Sequence, residues 1–196
     1  MVVTPHNVHV ERHFAVVTAA HVGEWETDLV TADALLAADL PILGVSYGGN
    51  VRAQAEMPLD WGTEVPLAYM RARRVVVLSP ARDLPLEEHL LLGAAVAALP
   101  GRIALVASAD HGHAHDAAGP YGFHAAAEAY DRQLLDILGS ARLDFLPLAE
   151  LVDDAKADSL WQLLVLQGAL GDGATAELLA YEQHAYYGMA VAEVSA

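Results

Sequence analysis

The sequence predicts an α/β fold: a single domain built on a mostly parallel or mixed sheet with helices on both faces. Three observations carry this reading. Short runs rich in Val, Ile and Leu alternate with longer Ala/Leu-rich segments through most of the chain, the pattern of strands and helices in turn. Gly and Pro punctuate the joins, as at Gly48-Gly49, Pro100-Gly101 and Gly119-Pro120. The 196 residues, 55% hydrophobic and only 18% charged, suit one domain with a sizeable core and exclude disorder.

Met1 to Thr4 reads as a short apolar strand ending in Pro5-His6. Val8, Val10 and Phe14 to Ala20 continue in extended style, with His9, Glu11 and His13 alternating against them, a period of two that predicts one wet face. Glu24 to Asp28 is a loop, and Thr31 to Asp39 a helix capped by Thr31. Pro41 to Tyr47 is a strand closed by Gly48-Gly49, and Asn50 to Glu56 a short helix ending before Pro58. A turn over Leu59 to Thr63 leads into a helix over Glu64 to Met70, with Pro66 in its first turn.

Val75 to Leu78 is a buried strand ending at Ser79-Pro80, and Glu87 to Leu99 an apolar helix stopped by Pro100-Gly101. Ile103 to Ala107 is a continuous apolar run, which predicts a central strand buried on both faces. A helix from His124 to Leu138 follows, then helices over Leu148 to Asp154 and Ser159 to Leu170, the latter stopped by Gly171-Asp172-Gly173. Ala176 to Tyr181 and Met189 to Val194 are strands separated by Glu182 to Gly188. No repeat, linker or low-complexity tract interrupts the series.

Bulk composition excludes several functions. A net charge of −16 opposes binding to a nucleic-acid backbone or an anionic membrane surface but is compatible with a fixed metal cation. With no cysteine, disulfides, thiolate metal sites and Cys nucleophiles are excluded, so any metal must be held by His, Asp and Glu. The nearest approach to a membrane span, Leu90 to Leu99, is too short, and no secretory signal is evident, so the expected location is cytoplasmic.

The stretch from Arg102 to Phe123 organises the rest. Its apolar strand empties into Asp110, His111, His113, His115 and Asp116, so three of the ten histidines fall within five residues. In open α/β sheets ligands bind beyond the carboxyl ends of strands, and this is such an end. The bland alternative is a solvated His-rich loop. Two more polar points stand at predicted strand ends: His6 after Pro5, and Glu182 with Gln183 and His184 after Tyr181. Two histidines and a carboxylate at one rim form the donor set of non-haem Fe(II) oxygenases, and Zn²⁺ accepts the same ligands. Trp25, Trp161 and the tyrosines read as packing, with Tyr186-Tyr187 able to edge the pocket. Arg71, Arg73 and Arg74 read as complementing a helix end. His21, His89 and His124 read as exposed structural positions.

Four segments carry a family resemblance. The stretch SADHGHAHDAAGPYGFHAAAEAYDRQLLDIL is similar to a segment built on Gly-Asp-Leu-Ser-His, Pro-Tyr-Gly-Phe and a helix with a Phe-Asp or Tyr-Asp pair. Val3-Thr4-Pro5-His6 resembles a Ser-Pro-His at the end of an early strand. Leu59 to Leu67, LDWGTEVPL, resembles an Asp-His-Gly-Thr-Trp-Val-Pro-Leu turn, and Ala180-Tyr181-Glu182 with Gly188-Met189 resembles a Tyr-Glu segment near the C-terminus. On these motifs the chain resembles the LigB-type class III extradiol ring-cleavage dioxygenase superfamily, which also holds the Memo-like proteins. The likeness runs nearly end to end, so residues 1–196 are expected to form one such domain, without the family's first strand.

The resemblance implies metal ligation by His6 and Glu182, with Fe(II) as the expected metal and Zn as the alternative. It also implies His113 as the acid/base, taking a phenolic proton from a catecholic substrate and returning one as the ring opens with O₂. Asp60, Trp61, His111, His115, Tyr121 and His184 are expected around the substrate; His111 and His115 could equally tune His113 or face water. Two departures stand out. The family's other metal-binding histidine lies upstream of Ser-Pro-His, which leaves His9 or His184 to replace it, or no metal at all. Trp61 stands where many members carry the His of Asp-His-Gly. Family members often pair with themselves or with a small second subunit, so a homo-oligomer is expected. The rival functions are a catalytically silent Memo-like binding or scaffold protein, and a Zn-dependent hydrolase using His111, His113 and His115.

Overall fold

The structure, a computed structural model, describes residues 1–48 and 51–195. In chain order the elements are β1 (Val2–Val3), β2 (Phe14–Val17), β3 (His21–Val22), β4 (Trp25–Thr27), α1 (Leu29–Leu36), β5 (Ile42–Val45) and β6 (Glu56–Met57). Then come α2 (Trp61–Tyr69), β7 (Arg74–Val75), β8 (Val77–Ser79), α3 (Leu86–Ala97), β9 (Val106–Ala107) and α4 (Ala125–Leu138). The chain finishes with α5 (Val152–Ala155), α6 (Leu160–Leu170), β10 (Thr175–His184) and β11 (Tyr187–Ser195).

The main sheet is five-stranded, in the order β5-β2-β8-β1-β9. β1 runs parallel to β8 and β9, and β2 parallel to β5, while β2 and β8 meet antiparallel, so the α/β fold has a mixed sheet. A four-stranded sheet (β6-β3-β4-β7) and the β10-β11 hairpin complete the strands.

The period-two alternation of the strands sorts the core into two faces. Val3, Phe14, Val16 and Leu78 point into a cluster closed by Ala32 and Leu35 of α1, Leu92 and Val96 of α3, and Val165 of α6. Val2, Val17, Val75 and Val77 point the other way, onto Leu67 of α2. A third cluster is centred on Tyr130 and Leu134 of α4 with Phe145, Leu148, Leu160 and Leu164, and the hairpin residues Ala192 and Val194 pack against it. Burying a side chain such as Phe14 contributes about 1.5–3 kcal/mol, so these clusters outweigh any single polar contact in holding the sheet between its helices.

Several elements depart from the pattern expected of the sequence. Ile103 to Ala107 is not a central strand: only Val106–Ala107 pairs, at the sheet edge and half-buried, while β8 takes the middle. β2 is buried on both faces, because the chain turns at Glu11-Arg12, with Arg12 at φ 58°, and the polar alternation falls before the strand. The predicted loop at Glu24 to Asp28 holds β4. The helix expected over Asn50 to Glu56 is a 3-10 turn at Arg52–Gln54 followed by β6, and the Gly49 and Asn50 part of that expectation lies outside the described residues. α2 starts at Trp61, inside the predicted turn, because Asp60 caps it. The helix expected over Leu148 to Asp154 is a 3-10 turn at Leu146–Glu150 and the short α5. Glu182 to Gly188 is not a loop: the ladder runs to His184 and turns at Ala185-Tyr186, with Ala185 at φ 54°. His89, expected exposed, is 0% exposed, edge-on to Phe14. Among the described residues no helix is long and apolar enough to cross a membrane.

Candidate metal centre and proton-transfer site

β1 and β9 run side by side in the same direction, so the segments that follow them emerge at one rim. His6 follows β1. Its backbone N–H is accepted by Thr4 Oγ1 at 3.2 Å, and that hydroxyl donates to Asp60 Oδ1 at 2.7 Å. Asp60 also accepts from the backbone N–H and hydroxyl of Thr63 and from Asn7 Nδ2, so its oxygens are committed to capping α2 and holding the His6 turn. Trp61, the first residue of α2, stacks on His6 with ring centroids 4.0 Å apart.

Beyond β9 the chain from Ser108 to His115 is not a solvated loop. Asp110, His111 and His113 are only 5%, 5% and 8% exposed. Each backbone N–H has a partner: Asp110 donates to Asp158 Oδ1, His111 to the Gly188 carbonyl, Gly112 to Asp131 Oδ1, and His113 to the Ala155 carbonyl. The segment is thereby clamped between the α5–α6 junction, α4 and the hairpin. A buried polar backbone needs such partners, and here they also fix where the side chains go.

The clamp brings together His6, Asp110 and Asp158, which offer one ligand atom each, all within 4.8 Å of one another. His6 Nε2 lies 3.9 Å from Asp158 Oδ2, too far for a hydrogen bond, and it is buried without a partner. Burial and the nearby Asp110 charge push the Asp158 carboxyl above its usual range, with His113 and His6 opposing. Two carboxylates and an orphaned imidazole nitrogen sharing one buried pocket is an arrangement that a cation would satisfy. Oxygen and imidazole donors suit Fe(II), Mn(II) or Zn(II).

His113 stands beside this group, its Nε2 3.6 Å from Asp110 Oδ2. Burial pulls its pKa down, but Asp110 and Asp158 outweigh that and hold it above the ordinary histidine value. Tyr121, Tyr186 and Tyr187 surround its ring at centroid distances of 5.6, 6.0 and 5.9 Å. His111 is buried with neither ring nitrogen partnered, and burial pushes its pKa down to about 4. His115 donates from Nε2 to Asp131 Oδ2 at 2.8 Å, and Tyr181 donates to the same oxygen at 2.7 Å.

The structure thus gathers His6 and His113 about Asp110 and Asp158. Glu182 is not in the group: it is exposed in mid-ladder on β10, paired with Met189. Neither substitute ligand joins either. His9 is exposed with Nε2 against the Pro5 carbonyl, and His184 is exposed, edge-on to Tyr187. His111, His113 and His115 do not converge on one point, since each faces different surroundings. Of the residues expected near a substrate, Trp61 and Tyr121 are half-exposed beside His6 and His113, while Asp60 is occupied with capping. Sequence reasoning missed Asp158 and Asp131. Asp158 reads as an ordinary acidic lead-in to α6, and only its 8% exposure marks it. Asp131 did leave a signal, a charge on the otherwise apolar stripe of Ala126, Ala127, Tyr130, Leu134 and Leu138.

Comparison with known proteins bears on this geometry. The sequence model of a family described as "Catalytic LigB subunit of aromatic ring-opening dioxygenase" matches residues 32–194. No curated protein matches. The crystal structure of an uncharacterized protein from Escherichia coli K12 is similar over 100% of this chain and 84% of its own, with a TM-score of 0.68 and 17% identity, a likeness of fold.

Proposed function

From the premise that the chain belongs to the LigB family of aromatic ring-opening dioxygenases, we propose that it is an extradiol ring-cleavage enzyme acting on a catecholic substrate with O₂. The carrying observation is the group of His6, Asp110 and Asp158 with His113 beside it, at the rim where β1 and β9 end. These three side chains would hold Fe(II), in place of the His6 and Glu182 pair expected from the sequence. The metal, when bound, would supply Lewis acidity toward the substrate oxygens and a route for electrons to O₂.

The protein's own groups do the rest. His113 Nδ1 is buried and unpartnered, while its Nε2 faces Asp110, so the ring is oriented by one nitrogen and can exchange a proton at the other. Neutral, it takes a phenolic proton; protonated, it returns one to the opening ring. Asp110 stabilises the imidazolium between the two events. Tyr121, Tyr186 and Tyr187 line the space around His113 and exclude water from it. The half-exposed Trp61 indole stacks on one face of His6, and on this reading it would limit the room for a substrate on that side. On this reading residues 1–196 act as one cytoplasmic domain.

The test is metal analysis of protein purified anaerobically without chelators, followed by O₂ uptake with a panel of catechols. Iron at close to one equivalent, with O₂ consumption and the yellow ring-opened product, is the expected result. Protein that folds but binds neither iron nor zinc would leave the scaffold reading in its place, and zinc with esterase or amidase activity would favour the hydrolase.

A further inference from the structure

We propose that a second site, for a small molecule bearing an oxyanion group, lies at the end of the parallel strands opposite the candidate metal centre. A cavity of about 290 Å³ opens there, and Arg71, Arg74 and Arg102 line it. Arg71 and Arg74 belong to the chain's only basic run, which begins directly after Met70, the C-cap residue of α2. Arg102 comes from the segment leading into β9, some thirty residues on, and only the tertiary fold adds it to the run.

The charge balance makes this convergence informative. The chain has 26 acidic residues against 10 basic ones, so an arginine placed merely to neutralise the surface has carboxylates available. Arg52 does pair with Asp33, and Arg132 with Glu128. Among the described residues, Arg71 and Arg102 make neither an ion pair nor a side-chain hydrogen bond. Arg74 meets Glu26 through Nε at 3.5 Å, which leaves its terminal nitrogens uncommitted. Among the described residues Asp28 is the one carboxylate in the lining, and it is occupied in capping α1 through the Thr31 N–H at 3.2 Å.

Guanidinium forks match phosphate and carboxylate oxygens in pairs, which an ammonium does not. The rest of the lining sets the apolar side chains of Leu67, Met70 and Ile103 beside Thr31, so the oxyanion would be carried by a small body with an apolar face and a polar edge. All three arginines are exposed, so binding will be sensitive to salt. Because Ile103 precedes β9 and Asp110 follows it, the strand itself separates this cavity from the metal centre.

Calorimetric titration of metal-free protein at low ionic strength tests the site, with inorganic phosphate, phenyl phosphate and benzoate as probes. Saturable binding of at least one probe is expected, weakened tenfold or more by the Arg71→Gln/Arg102→Gln double substitution and unchanged by His6→Ala or Arg52→Gln. The phosphate and benzoate arms tell which oxyanion is preferred. Should the double variant fold poorly, Arg102→Gln alone gives the same reading, because that side chain makes no hydrogen bond to lose. Absence of saturable binding, wild-type affinity in the arginine variants, or loss of binding in His6→Ala each overturns the proposal. The His6→Ala arm also separates this site from the candidate metal centre, whose failure would leave it standing.

Discussion

The Trp61 indole lies against the His6 imidazole, ring centroids 4.0 Å apart and planes inclined by 30°. The contact joins the first residue of α2 to the turn after β1, so the helix start and the imidazole are fixed together. Trp61 is 50% exposed, so removing it leaves the core intact. Aromatic stacking of this kind is worth about 0.5–1.5 kcal/mol. Trp61→Ala is therefore expected to weaken metal binding severalfold, to about tenfold at most, without lowering Tm appreciably, and Trp61→Phe to restore it. Metal titration of the two variants checks this.

The ligand assignment separates sharply from the one expected of the sequence. Asp158→Asn and His6→Ala are expected to weaken binding of Fe(II) or its Co(II) substitute by at least about tenfold, whereas Glu182→Gln leaves it at the wild-type value. Equilibrium dialysis of the three variants decides it. Loss of metal in Glu182→Gln with retention in Asp158→Asn would reverse the assignment.

His113 adjoins the group but supplies no ligand atom to it. His113→Ala is expected to lower kcat by about 10²–10⁴-fold, the usual worth of a general acid or base, with bound metal unchanged. Steady-state kinetics and metal content on one preparation give both readings. If the substitution stripped the metal, His113 would be a ligand instead.

Asp131 gathers Gly112, His115 and Tyr181, and Gly188 passes so close that a Cβ there would overlap its Oδ2. Gly188→Ala is thus expected to cost about 1–3 kcal/mol, the usual cost of overpacking, and to loosen the Asp110–His115 segment as well. Tyr181→Phe removes one hydrogen bond to a charged acceptor and is expected to cost less than about 3 kcal/mol. Urea unfolding of both variants, with metal affinity as the second readout, measures the two effects.

A buried histidine whose pKa is lowered predicts weakness toward acid. Burial pushes the His89 pKa from an ordinary value near 6.5 down to about 4. Between those values the unfolded chain binds the proton and the folded one does not, so stability is fully present above 6.5 and falls as pH drops toward 4. At 1.36 kcal/mol per pKa unit the loss from this residue is about 3 kcal/mol. His89→Leu is expected to flatten that part of the stability curve, measured by urea denaturation at pH 7.5 and 4.5. An unchanged slope would mean that His89 does not carry the effect.

The sequence by itself determined the class of fold, the family motifs and the exclusion of thiolate chemistry, and through the family resemblance it pointed to the imidazoles of His6 and His113. These features are local. Strand and helix runs follow from the period of apolar residues, and the two histidines stand within short motifs that the resemblance matches. The tertiary structure alone decided which carboxylates join them. Glu182 was expected at the site because the Tyr-Glu resemblance and the apolar run before it both pointed there, but the ladder continues through it to His184 and leaves it in solvent. Asp158 looked ordinary because nothing local distinguishes a buried aspartate from a solvated one. It reaches His6 because the α5–α6 junction packs against the segment beyond β9, where its Oδ1 accepts the Asp110 N–H at 3.1 Å. The same holds for Arg102, which joins Arg71 and Arg74 only because the sheet brings their segments together. Sequence spacing carries the geometry of one element at a time, whereas a site assembled from four elements depends on long-range packing that no local pattern encodes.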